Sequence, residues 1–274
     1  MTHSKDTPAG FETVTEAAPS APWLTMVHGM AQDRRVFSAQ VAAFRDRFRL
    51  LLVDLPGHGL SSSLPGPYGL EEYAAGARAA LEAAGVERTH FWGTHTGAGV
   101  GLLLACREPS LFASLVLEGP VLPGRLPPAV VEMMARVGEL ARGEGLEAAL
   151  EHWWEHAGWF AVMREHPQAT RAAEHRRLAD LFQGGPWLDT RAPAQIAPIE
   201  PLLAQLRLPV LILNGEHDLD DFQEVAEALM GMLPDARRSI IAGGGGFPLW
   251  EKPEAVNAEV GTFLEEAVRS ESPS

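Results

Sequence analysis

Six short runs of nearly unbroken apolar residues limit what this chain can become. They are WLTMV (23–27), FRLLLVD (48–54), THFW (89–92), ASLVLEG (113–119), PVLILN (209–214) and RRSIIA (237–242). Each has the length of a strand. Their apolar residues do not alternate cleanly with polar ones, as expected for strands covered on both faces. Helical patterns fall between them, at about 34–46, 70–84, 97–107, 221–232 and 253–268. Strands alternating with helices predict an α/β fold with a doubly wound, mostly parallel sheet. The stretch 123–200 breaks the rhythm. It is helical in pattern, rich in Trp, His and Pro, and punctuated by Gly184-Gly185-Pro186 and Ala192-Pro193. It reads as a helical cap inserted between core strands. The expected division is a core of 11–122 and 201–268, a cap of 123–200, and flexible tails at 1–10 and 269–274.

Size and charge narrow the function. The chain has 274 residues, 46% of them hydrophobic, enough to bury one sizeable core. Its net charge of -14 repels nucleic acid and anionic lipid, so neither is an expected partner. Cys106 is the only cysteine, which rules out an internal disulfide. No basic start leads into an apolar run, and no stretch reaches the ~20 apolar residues that cross a bilayer. The expected location is cytoplasmic, and a homodimer is possible. Basic residues are nearly all arginine, with lysine only at Lys5 and Lys252, a composition associated with GC-rich bacterial genomes.

The segment Gly93-Thr94-His95-Thr96-Gly97 carries the chemistry. It follows a strand and opens a helix, in the form G-x-nucleophile-x-G. The glycines are needed because side chains beside such a sharp bend would strike neighbouring backbone. The bend lifts its apex residue above the carboxyl ends of the strands, where open α/β sheets bind ligands. Serine is the usual apex; here it is histidine. A helix N-terminus at that place favours developing negative charge.

Three further pieces follow strands in order: Val27-His28-Gly29-Met30, Asp54-Leu55-Pro56-Gly57-His58-Gly59-Leu60-Ser61, and Asn214-Gly215-Glu216-His217-Asp218. A fourth, Gly245-Gly246-Phe247-Pro248, precedes the last helix. With the elbow, these make the chain resemble the α/β-hydrolase superfamily over about 23–265. The resemblance implies that the N–H groups of Met30 and Thr96 form an oxyanion hole. It places His95 at the nucleophile position and Asp218 at the acid position. Gly246 stands where the family carries its general-base histidine. Two of three triad side chains therefore differ, and ordinary Ser–His–Asp acyl transfer cannot run.

An imidazole at the apex could reach toward Asp218 across the space left at Gly246, directly or through one water. His95 would then be a general base, or a nucleophile, with its tautomer held by a carboxylate. The oxyanion hole would stabilise an enolate or tetrahedral oxyanion. The cap residues Trp153, Trp154, Trp159, Phe160, Phe182 and Trp187, with His28, Met30, Gly246 and Phe247, are the expected pocket lining. The expected partner is a small apolar carbonyl-containing molecule. Lyase, cyclisation or hydrolysis chemistry without a cofactor or metal is the first reading, with specialised metabolism as the expected setting. The others are a catalytically inactive small-molecule binding protein and a weak esterase.

Blander readings govern the remaining motifs. His28, His58 and Asp54 belong to turns where side chains commonly hold loops. His152 and His156 have helical spacing that could hold a metal, but no third ligand is evident. Gly97-Ala98-Gly99-Val100-Gly101 lacks the last glycine of a dinucleotide loop and suits close helix packing instead. Gly243–Gly246 could cradle an anion, although a flexible loop is simpler. Arg34 and Arg35 could meet an anionic group, or simply face solvent at a helix start.

Overall fold

The computed structural model describes residues 10–271. Seven strands form one sheet in the order β1-β3-β2-β4-β5-β6-β7. They are β1 (Phe11–Val14), β2 (Trp23–Val27), β3 (Arg49–Val53), β4 (Thr89–Thr94), β5 (Phe112–Glu118), β6 (Val210–Gly215) and β7 (Ala236–Ile241). Only β1 runs antiparallel, beside β3; every other pairing is parallel. The six apolar runs are β2 to β7. The extra strand, β1, is a half-exposed edge whose FETV sequence has no apolar run to announce it.

Alternate residues of the buried strands feed two separate cores. Leu50 and Leu52 of β3 face one, and Leu51 and Val53 the other. The first core takes α1 (Ser38–Phe44) and the long C-terminal helix, through Phe44, Val256, Val260 and Phe263. There the buried Trp92 ring lies 6.0 Å from Phe37 and 6.1 Å from Phe44, both edge-on. The second core takes α2 (Leu70–Ala83) and α3 (Thr96–Arg107), through Tyr73, Ala77, Leu81 and a run of small and branched residues from Ala98 to Ala105.

Between β5 and β6 the chain leaves the sheet and builds six helices. They are α4 (Pro128–Gly143), α5 (Leu146–His156), α6 (Ala161–Glu165), α7 (Ala172–Ala179), α8 (Gly185–Leu188) and α9 (Glu200–Leu203). The chain then closes with α10 (Asp220–Met232), α11 (Pro248–Glu251) and α12 (Pro253–Glu271). Residues 1–9 and 272–274 of the expected tails lie outside the described residues. The rest of those tails is ordered: Gly10 donates its N–H to Ser61 Oγ at 2.6 Å, and α12 continues to Glu271. Among the described residues no helix is long and apolar enough to cross a membrane.

Close packing of α3 on the sheet explains the elbow glycines. A Cβ on Gly97 would stand 2.0 Å from the Val27 carbonyl oxygen, and one on Gly93 would stand 2.3 Å from Gly97 backbone. Neither contact can relax, because both partners are main chain. Gly97→Ala should therefore destabilise the protein by ~3 kcal/mol or more in urea titrations. Gly231, in α10, has nothing within 4 Å of the place a methyl would take, and should accept alanine with a gain of ~0.5 kcal/mol.

Candidate active site

His95 sits at the apex with φ 47° and ψ -108°, a backbone region that costs a non-glycine residue ~1–3 kcal/mol. The bend is held from both sides. The His95 N–H donates to the Glu118 carbonyl at 2.8 Å, and the His95 carbonyl accepts from Gly99 at 3.1 Å. The imidazole then lies over Gly119, which has φ +51° and where a Cβ would stand 2.7 Å from ring Cε1. Phe222 and Phe247 flank the ring, with centroids at 4.8 and 4.6 Å.

The ring's hydrogen bonding fixes its tautomer. Nε2 lies 2.7 Å from the Gly246 carbonyl, which can only accept, so Nε2 carries the proton. Nδ1 holds the lone pair and has no partner among the described residues. Burial depresses the His95 pKa to about 4, and the Gly246 bond only partly offsets this. The imidazole is therefore neutral at ordinary pH.

The direct contact between His95 and Asp218 is not formed. No His95 nitrogen is within ion-pair or hydrogen-bond distance of that carboxylate. Asp218 instead accepts from Asn214 Nδ2 and from the Leu219 N–H, each at 2.9 Å. The space beside Gly246 is not open either. A Cβ there would stand 2.5 Å from Trp159 Cβ and 2.7 Å from the Trp159 carbonyl. Cap backbone fills the place of the family's histidine, and a main-chain carbonyl orients His95 in place of the carboxylate.

Below this level three buried acids cluster. Burial pushes Glu118 up to about 8, Asp218 up to about 7 and Glu251 up to about 7, and their mutual repulsion adds to the effect on Glu118. Glu118 accepts from the Leu249 N–H at 3.1 Å, and Glu251 accepts from the Gly245 N–H. They tie together the loop that presents the Gly246 carbonyl.

The N–H groups of Met30 and Thr96 have no partner among the described residues, and both residues line the same cavity as His95. The loop carrying Met30 is pinned by two neutral histidines. His28 donates from Nδ1 to the Gly29 carbonyl at 2.7 Å and accepts at Nε2 from the Leu55 N–H at 3.0 Å. His58 likewise donates from Nδ1 to the Pro56 carbonyl and accepts at Nε2 from the Ala31 N–H. Burial lowers both pKa values, that of His58 to about 3. Asp54 accepts from Arg34 and from the Leu60 N–H, and Arg35 pairs with Asp33, so neither arginine is free to meet a ligand.

The cavity measures about 710 Å³. Met30, His95, Thr96, Trp153, Trp159, Trp187 and Phe247 line it. His28, Trp154, Phe182, Gly246 and Asp218 do not. His28 is locked into loop hydrogen bonds, while Trp154 packs on Phe160 at 4.8 Å and Phe182 stacks on His58 at 4.9 Å. Phe222, Tyr73 and Val121 also line it, beyond the residues expected from the sequence. Phe222 could have been found as the first inward residue of the helix that follows the acid-bearing turn. His152 and His156 stack at 4.2 Å on the cap exterior. Among the described residues no three His, Cys, Asp or Glu side chains gather to hold a metal.

The sequence profile described as the alpha/beta hydrolase fold matches residues 22–253, most of the chain and all of the site above. The chain belongs to this family. A 2-succinyl-6-hydroxy-2,4-cyclohexadiene-1-carboxylate synthase of Pectobacterium atrosepticum is 29% identical over 217 residues, covering 76% of this chain and 82% of that one. A 2-hydroxy-6-oxononadienedioate/2-hydroxy-6-oxononatrienedioate hydrolase of Paraburkholderia phymatum is 27% identical, covering 96% and 90%. Among solved structures, an esterase from Thermogutta terrifontis superposes with a TM-score of 0.78 at 25% identity, covering 94% and 93%. These α/β-hydrolase relatives are enzymes, and the likeness supports an enzyme of that general type here.

The buried titratable groups set opposite pH dependences. Glu118, Asp218 and Glu251 keep protons in the folded state that the unfolded chain releases above pH ~4.5, so their contribution falls as pH rises toward 8. His28, His58, His95 and His175 are held neutral, so their contribution is intact above pH ~6.5 and is lost as pH falls. Stability should peak near pH ~6.5 and decline toward pH 8. Glu118→Gln should remove about 1–2 kcal/mol of that decline in urea titrations across this range.

Proposed function

We propose that this protein is a cofactor-independent enzyme in which His95 Nδ1 is the general base. The carbonyl of a small, apolar, uncharged compound would sit against the N–H groups of Met30 and Thr96. The observation that carries this reading is the Nε2–Gly246 bond. It leaves one basic lone pair on a cavity-lining ring whose backbone neighbour, Thr96, offers a free N–H.

In a lyase or cyclisation step, Nδ1 takes a proton from the carbon next to the carbonyl. The C–H electron pair becomes the enolate, and its charge collects on the oxygen between the two N–H groups. The imidazolium then returns the proton to carbon or to the leaving fragment. In hydrolysis the same nitrogen deprotonates water as its oxygen adds to the carbonyl. A base depressed to about pH 4 is weak. It suits substrates whose proton is already acidified, or whose developing oxyanion is well held. The relatives named above carry carboxylate or dioate compounds in their names. Here no Asp, Glu, Lys or Arg among the described residues lines the cavity, which favours an uncharged substrate.

A second reading, an inactive binding protein, is favoured by the low basicity of His95 and by its separation from Asp218. One experiment separates the two. Deuterium exchange of para-butylacetophenone in heavy water, followed by NMR, should be accelerated by the protein. His95→Ala should slow it ~100-fold or more. The rate should be flat from pH 6 to 8, because His95 is already unprotonated there. Binding without acceleration supports the inactive reading, and an acceleration that survives His95→Ala overturns His95 as the base. Fluorophosphonate probes should leave the protein unlabelled, since no serine occupies the elbow.

A further inference from the structure

We propose that the chamber takes its substrate as an elongated molecule, a medium-chain alkyl ketone or ester. Its carbonyl end lies at the elbow, and its unbranched tail runs past Val130, Val131 and Leu126 into an open mouth. This rests on the reading of the cavity as the substrate chamber, and it does not depend on the chemistry at His95.

The lining of the chamber sorts by exposure into a closed part and an open part. Around His95 the walls are Phe222, Phe247 and Trp159, all buried. Elsewhere the lining meets water: Leu126 is 42% exposed and Val131 is 50% exposed, and Pro193 and Ala194 are exposed too. The chamber therefore opens between the start of α4 and the segment 192–196. An apolar row leads out through this opening. Met134 and Val130 stand one helical turn, about 6 Å, apart on one side of α4, and both are half-buried. Leu126 lies just before the helix and carries the row to solvent. An alkyl tail along this row covers apolar surface that water now touches, and each methylene so buried adds affinity. With no Asp, Glu, Lys or Arg among the described lining residues, nothing there holds a charged tail.

Both rims of the mouth are held by the rest of the fold. The Ala129 N–H donates to Asp221 Oδ2 at 3.1 Å, which ties the first turn of α4 to α10, the helix that carries Phe222. On the other rim the Ala194 N–H donates to Glu72 Oε1 of α2 at 3.0 Å. Pro193 sits so close over Gly69 that a Cβ on Gly69 would stand 2.4 Å from Pro193 Cβ. Ile196 then packs on the second core. The opening is thus a fixed part of the chamber wall, and the exposed side chains at its edge are where a long substrate differs from a short one.

A series of linear methyl ketones, 2-hexanone, 2-nonanone and 2-dodecanone, tests this by ligand-observed NMR titration. Affinity should rise about 2- to 4-fold per added methylene, at least ~10-fold from 2-hexanone to 2-nonanone. Val131→Asp places a charge at the mouth. An acid in the first turn of α4 suits the helix dipole, so folding is preserved. This variant should weaken 2-dodecanone at least ~5-fold and change 2-hexanone less than about 2-fold. Leu126→Asp should do the same. Ile240→Asp, at an exposed site on β7 outside the lining, should change none of the three by more than about 2-fold. Affinity that does not grow with the tail overturns the proposal. So does a Val131→Asp protein of wild-type melting that weakens all three ketones equally or none, or a failure of all three to bind. The titrations need no turnover. Loss of the His95 reading in the exchange experiment leaves them standing, whereas exchange that proceeds with no preference for tail length sinks this inference alone.

Discussion

The hydrogen bond from His95 Nε2 to the Gly246 carbonyl decides what this site can do. It consumes the ring's proton on the main chain and leaves Nδ1 as the only basic lone pair that His95 can offer. The bond forms because two chain segments converge: the strained elbow that lifts His95, and the loop before α11 that brings up Gly246. Trp159 from the cap closes against that loop, so cap and core share one junction beside His95. Phe222 and Phe247 then leave the ring little room to turn.

Around that junction, polarity is arranged through neutral groups. His28 and His58 are pinned in the same tautomer, each donating from Nδ1 and accepting at Nε2, and together they hold the loop that offers the Met30 N–H. Burial raises the pKa values of the acids beneath, because a desolvated site penalises charge. With no imidazole against it, Asp218 takes the side-chain amide of Asn214 and the first N–H beyond its own turn. Asp218 is thereby a hydrogen-bond acceptor within its own turn.

Much of this was legible in the sequence where the cause is local. The buried strands announced themselves through unbroken apolar runs. Gly93 and Gly97 marked the elbow because a bend that tight excludes side chains within a few residues of itself. The partner of His95 was not legible. Which group meets the imidazole depends on where Trp159, 64 residues along the chain, comes to rest, and no pattern near His95 encodes that. An absent side chain at Gly246 suggested open space, whereas packing had filled it. The cap tryptophans were recognisable as a set, but their division between the chamber and the cap's own core was not. Trp153 and Trp159 line the chamber, and Trp154 turns to Phe160. Edge strand β1 escaped notice because one face of it meets water.

The seating of Trp159 against Gly246 has a consequence for how this scaffold can change. A lone Gly246→His exchange would collide with cap main chain before any imidazole could reach Asp218. A lone His95→Ser exchange would put a hydroxyl at the bend with no proton acceptor beside it. Each step toward serine-hydrolase chemistry is therefore unproductive until the roof also shifts. Serine-hydrolase chemistry is thus separated from the present arrangement by a valley that single substitutions do not cross, and the histidine at the bend is entrenched by its own ceiling.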